Sequence, residues 1–357
     1  MAGVAVGTLL GACVSSAAGC GPGGDGDAAP APRPVRTDDP ARAFAPLVHL
    51  PRRDPSFPIG ARRFIARSSL KWKVGRCLVL ENVATGWIAE RKTPGRVPRT
   101  DPARMGGMRP PYRRRTRRAG CTRRGARAYR SNELTRPFDP GARPAGLAPD
   151  DGFYLDLLSD SYDGDPRFQR DGGQLVLAGT PAYYSVRPVE IGRRSGLSIS
   201  YWLLYAYTAQ LGPAGDTLAW HEGGWQRVDA IVRRGAREGA WIPHALRLHD
   251  GDRTRTVPWA RTTLAEHVGA RGHPVLFSAL GSHVLYATPG THRRRLTLGE
   301  RPAYAIDRTA RCRGCPQWRT WERLRALSGE PWPGFGGGWG FAWQEDATSG
   351  PLGPHRR

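Results

Sequence analysis

Lysine is almost missing from this chain of 357 residues. It occurs only at positions 71, 73 and 92, so 51 of the 54 basic residues are arginine. Codon bias in a GC-rich genome produces such a skew, and the formal net charge of +23 therefore does not assign a nucleic-acid partner by itself. Charge is also missing from the start of the chain, where no acidic residue precedes Asp25 and no basic one precedes Arg33. An export signal there would lack its usual basic n-region. The composition excludes collagen-like, coiled-coil and polytopic membrane architectures, and no internal repeat is found. Close cysteine pairs are scarce too: Cys312-Arg-Gly-Cys315 supplies one, whereas a four-thiolate zinc site needs two. Glycine and proline are abundant instead, at 46 and 32 residues. They disfavour a helix bundle and favour many short strands joined by turns. The length allows one large domain or two ordinary ones, and 12 tryptophans offer bulky core anchors.

Residues 2–19 are small, apolar and uncharged, which suits the h-region of an export signal better than a spanning helix. Two cysteines close this segment in lipobox-like settings, Leu10-Gly11-Ala12-Cys13 and Ala17-Ala18-Gly19-Cys20. We expect residues 1–20 to be a signal ending in a lipidated cysteine, Cys20 or alternatively Cys13. Several acyl chains, each held by ~0.8 kcal/mol per buried methylene, would anchor the protein firmly. The outer surface of the cell membrane is then the expected location, with secretion as the alternative. Export would place the other four cysteines in an oxidising compartment, where Cys77 with Cys121 and Cys312 with Cys315 are disulfide candidates. A redox dithiol or half of a zinc site are the alternative readings of the Cys312–Cys315 pair.

Residues 21–37 read as a flexible spacer, and 38–357 as a single domain. A short helix is expected from Asp39-Pro40 through Val48, stopped by Pro51, and a strand around Arg63–Ile65 and Leu70–Trp72. Residues 93–128 read as an arginine-rich loop insertion. Thirteen arginines between Arg96 and Arg130 oppose only Asp101, a local excess of +12. Arg113, Arg114, Arg115, Arg117 and Arg118 form a candidate polyanion patch. From Leu175 onward, short alternating runs follow one another: 175–177, 182–186, 197–205, 226–232, 245–249 and 274–279. Leu197, Ile199, Tyr201, Leu203 and Tyr205 share one face at period two. This pattern predicts a mainly β protein, an antiparallel β-sandwich with a few short helices and long loops. One helix is expected near Trp318–Leu327.

Polar residues gather at three strand edges: His221-Glu222-Gly223-Gly224-Trp225-Gln226, His249-Asp250, and His273-Pro274 with Ser282-His283. Imidazoles with a carboxylate suit a divalent metal, and Ser282 beside His283 suggests a nucleophile and base. Adjacent residues on a strand point to opposite faces, which opposes that second idea. Satisfaction of strand-end backbone groups is the simpler use of each histidine.

The segments YWLLYAY (201–207), HEGGWQRV (221–228), HPVLFSALGSHVLYATPG (273–290), PWPGFGGGWG (331–340) and GPLGP (350–354) occur in this order. That order resembles the vacuolar-protein-sorting-associated protein sixty-two family, and FAPLVHL, SSLKW and SNELTRP resemble its bacterial secreted members. The resemblance covers roughly residues 38 to 354. The family has no established molecular activity. More distantly, the chain is similar to the necrosis- and ethylene-inducing peptide-like cytolysins, which are β-sandwiches with a divalent metal in an edge cavity. The family's diagnostic segment reads HEGDWE. Here His221 and Trp225 match it, while Gly224 and Gln226 stand where the two carboxylates are expected. Losing about two negative charges weakens any hard-cation site, leaving His221 as the remaining metal ligand, with Glu222 or Asp216 as replacements if the loop permits.

Three functions follow as expectations. The first is an envelope lipoprotein that binds a glycan or lipid headgroup at a cleft lined by His221, Glu222, Trp225, Gln226, His249, Ser282 and His283. The second is a metal-dependent hydrolase built on the same degenerate site. The third is a surface protein that binds an anionic envelope polymer through the arginine-rich loop, nucleic acid being the less suitable partner outside the cell.

Overall fold

Alternating runs separated by turn residues become strands throughout the computed structural model of this chain. It describes residues 32–54, 56–66, 68–74, 77–78, 80–82, 87–88, 112–114, 152–157, 179–251, 253–265, 272–298, 301–312, 314–333, 338–340 and 350–354. The N-terminal half holds β1 (Val35–Arg36), α1 (Pro40–Ala43), β2 (Leu47–His49), α2 (Ala61–Ala66), β3 (Ser68–Val74), β4 (Cys77–Leu78), β5 (Leu80–Asn82), β6 (Trp87–Ile88), β7 (Tyr112–Arg114) and β8 (Gly152–Leu157). Long strands follow: β9 (Ala182–Ile191), β10 (Arg194–Leu211), β11 (Thr217–Arg234), β12 (Ala240–Asp250) and β13 (Arg253–Pro258). The remainder comprises β14 (Val275–Ser278), β15 (Leu285–Tyr286), β16 (Gly290–Leu298), β17 (Arg301–Thr309), β18 (Gln317–Arg319), β19 (Leu324–Ala326) and β20 (Gly338–Trp339).

The largest sheet has the order β1-β12-β11-β10-β9-β19, with β13 also on β12. Only β19 runs parallel to its neighbour in it. A four-stranded sheet, β15-β14-β2-β18, packs against it. Ile199, Tyr201, Leu203 and Tyr205 of β10, Val228, Ala230 and Val232 of β11, and Leu246 and Leu248 of β12 meet Val48, Leu276, Leu285 and Trp318. Two sheets face each other across one apolar layer, which makes the fold a mainly β sandwich. Each fully buried large side chain in that layer contributes about 1.5–3 kcal/mol.

The intervening residues of β10 are buried as well, with Trp202 and Leu204 at 2% and 0% exposure. The other side of β10 and β11 therefore has its own cover. Trp225, Trp332 and Trp339 interlock there with ring centroids 5.0–5.5 Å apart. Tyr183 stands edge-on to Trp332 at 4.9 Å and accepts the Ala61 N–H at 2.9 Å. Burial on both faces is why the run YWLLYA is continuously apolar.

Several local expectations change. Arg63–Ile65 lies in α2 and not in a strand, since Phe64 and Ile65 both turn inward from a helix preceding β3. The helix capped by Asp39, which accepts the Arg42 N–H at 2.9 Å, ends at Ala43. Pro46 cannot continue it, and Leu47–Val48 join β2 instead. No helix spans Trp318–Leu327. Pairing of β18 with β2 and of β19 with β9 draws this segment into two short strands joined by a 3-10 turn. Val35 and Arg36, expected in the spacer, pair with Trp241 and Ala240, so the sheet begins inside that segment. Within the arginine-rich insertion, Tyr112–Arg114 pairs with Leu80–Asn82 as a strand. The run 175–177 and residues 1–31 lie outside the described residues.

Candidate functional site

The segment His221–Gln226 runs along the middle of β11, opposite Leu203–Thr208 of β10. Gly223 has φ +59, and a Cβ there would collide with the Trp339 carbonyl oxygen. Only glycine combines that backbone conformation with that close approach. Gly224 pairs with Tyr205, and a Cβ on it would overlap the Thr208 hydroxyl oxygen. An aspartate at this position requires the Thr208 hydroxyl to move. The departure from HEGDWE is thus matched by packing in this chain.

The neighbouring side chains are mostly enclosed. Glu222 is 2% exposed, and its carboxylate accepts the Leu157 N–H at 3.1 Å. Burial, with the Glu222 charge adding to it, raises the Tyr207 pKa to about 12. Trp225 belongs to the tryptophan cluster. The Gln226 amide donates to the Ser282 carbonyl at 3.4 Å, joining β11 to the turn after β14. His221 is half-buried, and its Nδ1 donates to the Glu222 carbonyl at 3.0 Å.

That turn replaces β9 as the neighbour of β10. The β9 pairing stops at Trp202, and beyond it Ile59 N–H bonds to Leu204 and Ala209 N–H bonds to Gly281. The Ser56 hydroxyl accepts the Tyr207 N–H at 3.2 Å. His283 sits here, fully buried, at φ +59. Its ring stacks on Tyr205 at 3.9 Å, and Nε2 donates to Asp54 Oδ1 at 3.1 Å and to the Ser56 carbonyl at 3.2 Å. His283 Nδ1 and Asp54 Oδ2 are buried without partners. The left-handed conformation costs about 1–3 kcal/mol and persists because the stack and both bonds fix the ring.

Ser282 faces another network. Its hydroxyl donates to Asp307 Oδ1 at 2.7 Å, while Tyr286 and Arg294 reach Oδ2 at 2.7 and 2.9 Å. Arg294 also contacts Asp250 at 3.4 Å and the Gln210 side-chain oxygen. Burial works against the Arg294 charge, but Asp307 and Asp250 outweigh it and raise the pKa. These residues clamp the β16–β17 hairpin to the ends of β10 and β12. Asp54, Asp307, Arg294 and Gln210 carry no signal in the sequence, because nothing local distinguishes an inward aspartate on β17 from an outward one.

His249 is elsewhere. Its Nε2 donates to Asp229 at 3.0 Å, alongside Arg227, which binds both Asp229 oxygens and lies over Trp202. Alternate residues of β11 place Arg227 and Asp229 on the sheet face opposite Gln226 and Val228. Burial would raise the Asp229 pKa, yet the bonds from His249 and Arg227 hold it at about 2. The expected set therefore divides. Gln226, Ser282 and His283 meet along β10, Glu222 reaches β8, and His249 belongs to a separate ion-pair cluster.

Among the described residues no group of three His, Cys, Asp or Glu side chains is arranged to hold a metal ion. Cys312 and Cys315 form a disulfide with Cα atoms 5.2 Å apart. Among the described residues no helix is long and apolar enough to cross a membrane. Cys13, Cys20, Cys121, Arg115, Arg117 and Arg118 lie outside the described residues. No protein-family model, curated protein or solved structure matches this chain.

Proposed function

We propose that this chain is an exported, lipid-anchored cell-envelope protein whose β-sandwich binds a glycan or a lipid headgroup. The disulfide Cys312–Cys315 carries this reading. Cys312 is exposed, and such bonds persist in oxidising compartments while cytosolic thiols are kept reduced. The uncharged apolar segment 2–19, closing on Cys20 with Cys13 as the alternative, agrees with it. So does the resemblance to secreted members of the vacuolar-protein-sorting-associated protein sixty-two family.

Binding suits the way the candidate side chains are used. Glu222, Ser282 and His283 are enclosed and engaged with protein groups. Of the half-buried side chains, His249 is bonded to Asp229, His221 faces one side of β11, and Trp220 on its other side stacks near Tyr207 at 5.7 Å. A half-buried indole stacked near a phenol ring offers the apolar platform against which a sugar or headgroup packs.

The intact mass of the mature protein, isolated from membranes, tests the reading. The expected mass is that of a chain cleaved before Cys20 or Cys13, carrying acyl groups, with Cys312 and Cys315 oxidised. A soluble chain that retains Met1, unmodified and with free thiols, would refute it.

A further inference from the structure

The β16–β17 hairpin presents two unlike faces. In its antiparallel register, Thr291 opposes Arg308, Arg293 opposes Ile306, and Arg295 opposes Tyr304, so these six share one face. His292, Arg294, Ala305 and Asp307 occupy the other, which packs on the body of the protein. Asp307, the only carboxylate among the described residues of the hairpin, is spent on that inner face. The outer face is left with Arg293, Arg295 and Arg308, all exposed and none paired with a carboxylate among the described residues. Tyr304, opposite Arg295, is 43% exposed, with the Arg293 guanidinium 3.8 Å from its ring centre.

We propose that this face is a docking surface for an anionic phospholipid bilayer. Three guanidiniums on one face of a short hairpin, none paired with a carboxylate among the described residues, match the phosphates of a bilayer surface, and an exposed tyrosine suits the headgroup level where amphipathic rings gather. The choice of a bilayer rests on the export and anchoring reading, because a tether would keep this face near a membrane. The clamp of Arg294 on Asp307 holds the hairpin rigid, so all three charges engage together.

The test uses the full chain with Cys13→Ser and Cys20→Ser, so that acylation does not contribute to binding. Partition is measured onto vesicles of phosphatidylcholine alone and of phosphatidylcholine with phosphatidylglycerol, at low ionic strength. Binding is expected only to the mixed vesicles. Each arginine near an anionic surface contributes about fivefold, so the triple variant R293Q/R295Q/R308Q should lose on the order of a hundredfold. R293K/R295K/R308K should retain binding. An unchanged thermal midpoint in both variants shows that the fold is intact. The proposal is overturned if the glutamine variant binds like its parent, or if neutral vesicles bind equally well. It is also overturned if a short DNA duplex binds in preference to the vesicles, or if substituting only Arg113, Arg114, Arg115, Arg117 and Arg118 abolishes all binding. Failure of the export reading would instead appear in the mass of the native protein and leave the vesicle result untouched.

Discussion

Replacement of Asp307 by alanine tests the clamp that fixes the β16–β17 hairpin. Asp307 is 1% exposed and accepts from the Ser282 hydroxyl, the Tyr286 hydroxyl and Arg294 Nε within 2.7–2.9 Å. Arg294 is 9% exposed and would keep only Asp250, at 3.4 Å, and Gln210. Breaking a buried pair by deleting one partner costs about 3–5 kcal/mol, since the remaining charge is left desolvated. Asp250 lies close enough to soften that penalty, whereas the two stranded hydroxyls add to it. We expect a loss of about 4 kcal/mol, a large share of a typical domain's stability. Urea unfolding followed by tryptophan fluorescence measures it, and amide hydrogen exchange should show β16 and β17 opening before β10 and β11. Asp307→Leu with Arg294→Met should cost less than Asp307→Ala alone, because no buried charge then lacks a partner. A loss under about 1 kcal/mol for Asp307→Ala, or strictly additive costs in the double variant, would refute the account.

Three further outcomes follow from the same geometry. Asp229→Asn should cost about 2 kcal/mol at neutral pH. The native pKa, about 2, lies below that of the unfolded chain, so this stability is present above about pH 4 and lost as pH falls toward 2; denaturant titrations across that window should show the two proteins converging. Gly224→Asp, which restores the motif of the resembled family, should destabilise by about 3 kcal/mol through overlap with Thr208 and a buried charge, and Thr208→Gly should recover part of it; a thermally unchanged Gly224→Asp protein would contradict the packing argument. Cys312→Ser with Cys315→Ser should cost about 2 kcal/mol, as the loop closed by the bond is short, and a reducing agent should lower the parent's unfolding midpoint to that of the variant.

The legibility of the site was uneven. His221, Trp225 and Gln226 stood out through their motif, and the strand edges through their histidines. Which of them meet was not readable. His249 and His283 look equivalent as loop-adjacent histidines, yet one caps Asp229 on one sheet face and the other stacks on Tyr205 inside the sandwich. Asp54 reaches His283 from 229 positions away. A local pattern carries no information about such a partner. Gly224 shows the same limit from the other side. As a sequence it reads as a lost ligand, and the packed structure reads it as room for Thr208.

Period-two alternation by itself determined the mainly β architecture, because the alternation of side chains along a strand is a local property of the extended backbone. Asp39 and Pro40 likewise set where the first helix starts, through local hydrogen bonding and sterics, whereas its end at Ala43 and not at Val48 came with the pairing of Leu47–His49 as β2. Tertiary structure alone decided that Trp318–Leu327 gives up a helix for β18 and β19, since pairing with β2 and β9 outweighs weak helical propensity. It also decided which arginines are committed. Arg294 turns inward to Asp307, while Arg293 and Arg295, its immediate neighbours, face water. The arginine count set the size of the charge, and burial of Asp307 on the hairpin's inner face set where that charge stays open to a partner.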